Sequence, residues 1–116
     1  MKIGAPKEIA RGEARVALTP ESAKQLQKLG HECLIETGAG LAAGFNDDTY
    51  RDAGVTVAES ADALWRDAEV VIKVREPSDE EAERLREGQT LIAFFWPAQN
   101  EALLEKCKAQ GATVIA

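Results

Sequence analysis

Short runs of apolar, β-branched residues alternate along the chain with longer charged, amphipathic stretches. The runs predict strands at Lys2–Ala5, Glu32–Glu36, Val55–Ala58, Glu69–Val74, Thr90–Phe95 and Ala112–Ile115. Val70-Val71-Ile72 and Leu91-Ile92-Ala93-Phe94-Phe95 are hydrophobic almost without a break. That pattern means burial on both faces, as in a parallel sheet covered by helices. The stretches between carry helix-end signals. Thr19-Pro20 offers a cap oxygen and a proline at the first helical position, and Gly30 ends that helix after Leu29. Ser60 is placed to cap a shorter helix through Ala61–Arg66. Ser78 with Glu81 has the capping-box spacing, Asp79, Glu80 and Glu81 put negative charge at the positive helix end, and Glu80 and Arg84 stand one turn apart as a favourable pair. Asn100 can cap a last helix ending at Gly111, with Leu103, Leu104 and Cys107 on its inner side. The alternation predicts a doubly wound α/β fold, Rossmann-like or flavodoxin-like, whose mainly parallel sheet has helices on both faces.

Composition narrows this further. The chain has 116 residues, 45% hydrophobic and 29% charged, which suits one globular domain rather than a disordered segment. With 14 Lys and Arg against 20 Asp and Glu the formal charge is −6, and no basic cluster offers itself to a phosphate backbone, so nucleic acid is not expected as a partner. No apolar run reaches the ~20 residues that span a bilayer. No apolar signal core follows Met1-Lys2, so secretion is not expected. Cys33 and Cys107 fall inside expected elements and read as reduced core thiols of a cytoplasmic protein rather than a disulfide. The chain stops within the apolar run Ala112–Ala116, whereas termini are usually polar and at the surface. This predicts a domain that is the front portion of a longer polypeptide.

Candidate chemistry is sparse. Gly38-Ala39-Gly40-Leu41-Ala42-Ala43 fits the glycine spacing of a dinucleotide fingerprint, with Glu59 about twenty residues on. Gly44-Phe45-Asn46-Asp47-Asp48 interrupts the helix that should begin there, so the glycines read as a turn. His31 is the only histidine and reads as structural or solvated, with no second ligand at metal spacing and no nucleophilic triad available to it. The acidic run Glu76 to Glu87, broken by Arg84 and Arg86, reads as a solvated helix face. Polar residues after strands matter more, because open α/β sheets bind ligands beyond the carboxyl edge. Three spots qualify: Arg15 after the first strand, Lys73 and Arg75 at the end of the fourth, and Trp96-Pro97-Ala98-Gln99-Asn100 after the fifth. They form either a shared anion-binding cleft or surface charge with aromatic packing.

At these residues the chain resembles a known family. Ile3-Gly4-Ala5-Pro6-Lys7-Glu8, Arg15-Val16-Ala17-Leu18-Thr19-Pro20, Gly38-Ala39-Gly40, Lys73-Val74-Arg75-Glu76-Pro77 and Trp96-Pro97-Ala98-Gln99-Asn100 follow one another as in the N-terminal domain of the alanine dehydrogenase and pyridine nucleotide transhydrogenase family. The resemblance covers nearly the whole chain. It implies a Rossmann-like unit without the nicotinamide fingerprint, followed in the family by a true dinucleotide-binding domain and a return of the chain to the first.

Two departures choose a branch. In the dehydrogenases an arginine and a lysine hold the substrate's carboxylate and carbonyl, and a histidine moves a proton. Arg15 matches the arginine, Arg75 stands at the lysine's position and Trp96 at the histidine's. An indole cannot shuttle a proton near neutral pH and a guanidinium stays charged. Reductive amination needs that proton chemistry, whereas hydride passing directly between nicotinamides does not. Trp96–Asn100 is moreover similar to the α-subunit form of the proton-translocating transhydrogenase branch.

The resemblance therefore implies hydride exchange between NAD(H) and NADP(H) by an intact assembly that includes a membrane component and a homodimeric α subunit, peripheral to the inner membrane on the cytoplasmic side. No catalytic or cofactor-binding residue is carried onto this segment, whose family NAD-contacting loop would lie beyond Ala116, and alone it is expected to be inactive. Arg15, Lys73, Arg75, Trp96 and Gln99 are at most remnants of an anion or substrate pocket. The alternatives are an alanine dehydrogenase-like enzyme with an altered pocket, and a non-catalytic interaction or oligomerisation domain whose exposed apolar surface drives association.

Overall fold

The computed structural model describes residues 1–9, 12–93 and 101–115. Its strands are β1 (Lys2–Ala5), β2 (Glu32–Glu36), β3 (Thr56–Ala58), β4 (Val70–Ile72), β5 (Thr90–Ile92) and β6 (Thr113–Ile115). Its helices are α1 (Pro20–Lys28), α2 (Asp47–Asp52), α3 (Ala61–Asp67), α4 (Asp79–Arg84) and α5 (Glu101–Ala109). The strands form one six-stranded sheet in the order β3-β2-β1-β4-β5-β6. Each neighbouring pair is parallel. This is the Rossmann order rather than the flavodoxin one, and it resolves the two possibilities the sequence left open.

Side-chain alternation along the strands builds a core on each face. Cys33 and Ile35 of β2 point to one face, under Ala23 of α1 and Tyr50 of α2, with Leu18 and Val55 filling in. Leu34 points to the other, where Leu64 and Trp65 of α3, Ala82 of α4 and Cys107 of α5 pack on Val71 and Leu91. Both cysteines are buried free thiols, and burial raises the pKa of each, which disfavours the reactive thiolate. Thr19 and Ser78 make full capping boxes at α1 and α4, and Ser60 caps α3.

Four local expectations change. The hydrophobic runs overshoot the ladder: Val55, Glu69, Lys73, Val74, Ala93 and Ala112 lie outside the strands. Arg84 pairs with Asp62 of α3 at 2.8 Å rather than with Glu80, because α4 packs beside α3 and brings that carboxylate within reach. The acidic run is not wholly solvated, since the Glu81 side chain is 4% exposed. Finally, α2 is a helix that the apolar pattern does not announce, capped by Asn46. Phe94, Phe95 and the Asn100 cap lie outside the described residues.

Tyr50 ties α2 to the rest of the chain. Its hydroxyl donates to the Leu18 carbonyl at 2.7 Å, and burial pushes its pKa up to about 12. Tyr50→Phe should lose about 1–2 kcal/mol by stranding a buried acceptor. An unchanged urea midpoint would show that the hydroxyl carries no stability.

Candidate functional site

Strand order reverses at β1, which has β2 on one side and β4 on the other. The carboxyl ends of β1 and β4 therefore open the crevice where such sheets place ligands. The chain leaving β1 brings Glu8 there, and Glu8 binds the segment leaving β4. Its carboxylate accepts from the backbone N–H of Val74 at 2.9 Å and of Arg75 at 3.3 Å. It also accepts from Lys73 Nζ at 3.2 Å, and Lys73 donates at the same distance to Glu81 Oε2 of α4. The three side chains are 1%, 2% and 4% exposed for Lys73, Glu8 and Glu81. Charge is tolerated at such depth only when paired and hydrogen-bonded. Glu81 meets that condition twice, because its Oε1 also accepts from Ser78 N–H in the capping box.

Arg75, thus placed, points to the loop after β1. There the Glu13 carboxylate accepts from Arg15 through the backbone N–H at 2.9 Å, Nε at 2.9 Å and a terminal guanidinium nitrogen at 2.8 Å. Arg75 Nη1 stands 3.7 Å away. Glu13 is 4% exposed and Arg15 70%. The Arg15 guanidinium first, then its N–H, pull the Glu13 pKa from 4.5 down to about 2. A carboxyl whose pKa is lower in the folded than in the unfolded chain adds stability above its unfolded pKa. The contribution is complete above roughly 4.5 and disappears as the pH falls toward 2. Any urea-midpoint advantage of wild type over Glu13→Gln should therefore shrink across that window. A constant difference would contradict the assignment.

Of the residues singled out in the sequence, Arg15 and Arg75 meet on Glu13, while Lys73 lies behind them in the buried Glu8–Glu81 clamp. Trp96 and Gln99 lie outside the described residues. Glu13 went unnoticed in the sequence although it stands two residues before Arg15. Lys7, Glu8, Glu13, Arg15, Gly38 and Leu41 surround a cleft of about 200 Å³. Its one arginine, Arg15, whose pKa the Glu13 carboxylate raises, stays protonated, and Glu13 stays ionised at neutral pH. These groups can hold charge but not exchange a proton.

The glycine turn does not fit a dinucleotide. Leu41–Ala43 is a single 3-10 turn, Gly44 follows in the left-handed region at φ 93°, and α2 starts only at Asp47. Gly40 is held tightly, because a Cβ there would come within 2.6 Å of the Tyr50 ring. The Gly38 N–H, which a pyrophosphate would need, donates to Asp47 Oδ1 at 2.9 Å. Thr37 and that N–H lower the Asp47 pKa, so the turn already holds an anion. His31 Nδ1 sits 3.3 Å from the terminal amine of Met1. No cluster of metal-ligating residues occurs among the described residues.

Comparison with known proteins agrees with this arrangement. Residues 4–116 match the family model described as alanine dehydrogenase/PNT, N-terminal domain. The chain is 68% identical over 116 residues to NAD(P) transhydrogenase subunit alpha of Cereibacter sphaeroides, spanning all of this chain and 22% of that one. It is 44% identical to the alanine dehydrogenase of Halomonas elongata, again over its whole length and 31% of the relative. Among solved structures, an L-alanine dehydrogenase superposes with a TM-score of 0.94 at 41% identity, covering 100% of this chain and 32% of the other. The transhydrogenase from Sinorhizobium meliloti gives 0.93 at 35% identity, with 100% and 34% covered. The chain thus spans between 22% and 34% of these relatives' length. With its Rossmann strand order, its lack of a dinucleotide cradle in the glycine turn and a family match over nearly its whole length, this chain belongs to the alanine dehydrogenase/PNT N-terminal domain family.

Proposed function

We propose that residues 1–116 serve as the N-terminal domain of the alpha subunit of a proton-translocating NAD(P) transhydrogenase. The observation that carries this reading is the identity gap: 68% to a transhydrogenase alpha subunit against 44% to an alanine dehydrogenase, each over the full chain. The tryptophan at position 96, where the dehydrogenases carry a proton-moving histidine, supports it. In the intact enzyme the nicotinamides supply the redox chemistry: NADH gives up a hydride and becomes NAD, and NADP takes it to become NADPH.

This domain holds neither cofactor. The dinucleotide domain that binds NAD follows it in the longer chain, and NADP(H) belongs to another domain. Within this reading the alpha subunit is a homodimer on the cytoplasmic face of the inner membrane, and a separate membrane component moves the proton. No helix among the described residues is long and apolar enough to cross a membrane. Arg15 and Arg75, with Trp96 and Gln99, are what remains of a small-anion pocket, and Lys73 positions Arg75 rather than touching a ligand.

The test is NADH-driven reduction of an NADP analogue by membranes carrying the intact enzyme. The alanine dehydrogenase reading, favoured by the fold match to that enzyme, instead expects NADH oxidation that depends on pyruvate and ammonium and needs no membrane partner.

A further inference from the structure

A second cleft, of about 520 Å³, lies between α1 and α2 and shares no lining residue with the one at Arg15. Glu21, Lys24, Gln25 and Lys28 form its α1 wall, and Phe45 and Thr49 stand on the α2 side. The spacing of those four residues puts them on one stripe of the helix. The two walls are tied together at both ends of α1. Tyr50 of α2 donates to the Leu18 carbonyl just before that helix at 2.7 Å, and Gln27 Nε2 near its end donates to the Ala53 carbonyl at the C-cap of α2 at 2.9 Å. The cleft is therefore preformed, and its volume falls in the range of about 300–1,000 Å³ usual for small-molecule sites. Lys24 and Lys28 are exposed, one turn apart, and neither forms an ion pair among the described residues. Like charges at that spacing repel, and a bound anion relieves the repulsion. Phe45 is half-buried and its ring is held edge to face against Tyr50, with centroids 6.2 Å apart at 73°.

We propose that this cleft binds a nucleoside monophosphate, with the base against Phe45 and the phosphate on Lys24 and Lys28. An ammonium group is a point charge with three donors, which suits a phosphate, whereas planar carboxylates are better matched by arginine. A terminal phosphate monoester carries about −1.5 to −2 charges at pH 7, which two lysines balance. The one carboxylate on the cleft wall, Glu21, stands seven residues from Lys28, or ~10 Å along the helix axis, and so leaves the phosphate end cationic. The internal pyrophosphate of NADH offers no terminal dianion, so the cleft is no seat for the redox cofactors. Binding makes and breaks no covalent bond. Because the residues differ from those at Arg15, the proposal stands independently of transhydrogenation.

The experiment titrates AMP into the full chain of 116 residues and follows the backbone amide signals by NMR, with adenosine and ribose 5-phosphate as ligands that each lack one half. AMP should saturate, with shifts centred on Lys24, Lys28 and Phe45. Ribose 5-phosphate, without the base, should bind about five-fold more weakly or worse. Adenosine, without the phosphate, should lose about ten-fold or more. Lys24→Gln combined with Lys28→Gln should weaken AMP by about ten-fold or more and leave the urea midpoint close to that of wild type. Phe45→Leu should bring AMP down to the affinity of ribose 5-phosphate. The proposal is overturned if AMP does not saturate, if its shifts centre on Arg15, or if either half-ligand binds as tightly as AMP. Unchanged AMP affinity in the double lysine variant overturns it as well. Should Phe45→Leu fail to fold, the lysine variant, altered only at exposed positions, decides.

Discussion

Lys73→Met should destabilise the domain by about 3–5 kcal/mol at neutral pH, because removing one partner of a buried ion pair leaves an uncompensated charge in the interior. Two carboxylates would be stranded here, Glu8 and Glu81, with side chains 2% and 4% exposed. Methionine fills much of the lysine stem's volume, so the loss reports charge rather than a cavity. Adding Glu8→Gln and Glu81→Gln should recover much of the loss. A Lys73→Met urea midpoint matching wild type would show that the clamp contributes nothing. The same variant should disturb Arg75, since Glu8 holds both Lys73 and the Arg75 N–H.

Trp65→Ala should cost about 3–5 kcal/mol, the range for deleting a large buried aromatic side chain. Trp65 is 1% exposed and packs within the core on which α3 rests. α3 lies in the connection from β3 at one edge of the sheet to β4 beside β1, so it spans the point where strand order reverses. Gln89, itself buried, pins the end of that helix by donating to the carbonyls of Trp65 at 2.7 Å and Ala68 at 2.8 Å. Backbone held on both sides cannot collapse into the void. Trp65→Phe is the control. It keeps an aromatic ring and removes an indole N–H that finds no hydrogen-bond partner among the described residues, so its loss should be much smaller. Equal urea midpoints for the two variants would contradict this account of the core.

The two predictions differ in how far the sequence alone could have led to them. Parallel strands buried on both faces write themselves as unbroken apolar runs, which is why β4 and β5 were legible in Val70–Ile72 and Leu91–Ile92. Caps are local, so Thr19, Ser60 and Ser78 marked their helices. The helix Asp47–Asp52 was not legible, because only Tyr50 is buried and one residue makes no stripe. The Lys73–Glu8 pair joins residues 65 apart, and nothing in a solvated-looking acidic run distinguishes the one carboxylate that turns inward. At the site, the arginines showed themselves as cations after strand ends. Their partner Glu13 did not, because a glutamate in a charged loop looks like surface until burial is known.

The most direct test of the functional reading follows one atom. Intact enzyme in its membrane would be given NADH deuterated at the transferable position, together with NADP, pyruvate and ammonium, and the products analysed by mass spectrometry. The account predicts deuterium in NADPH and none at the α-carbon of alanine. Deuterated alanine with unlabelled NADPH would contradict it.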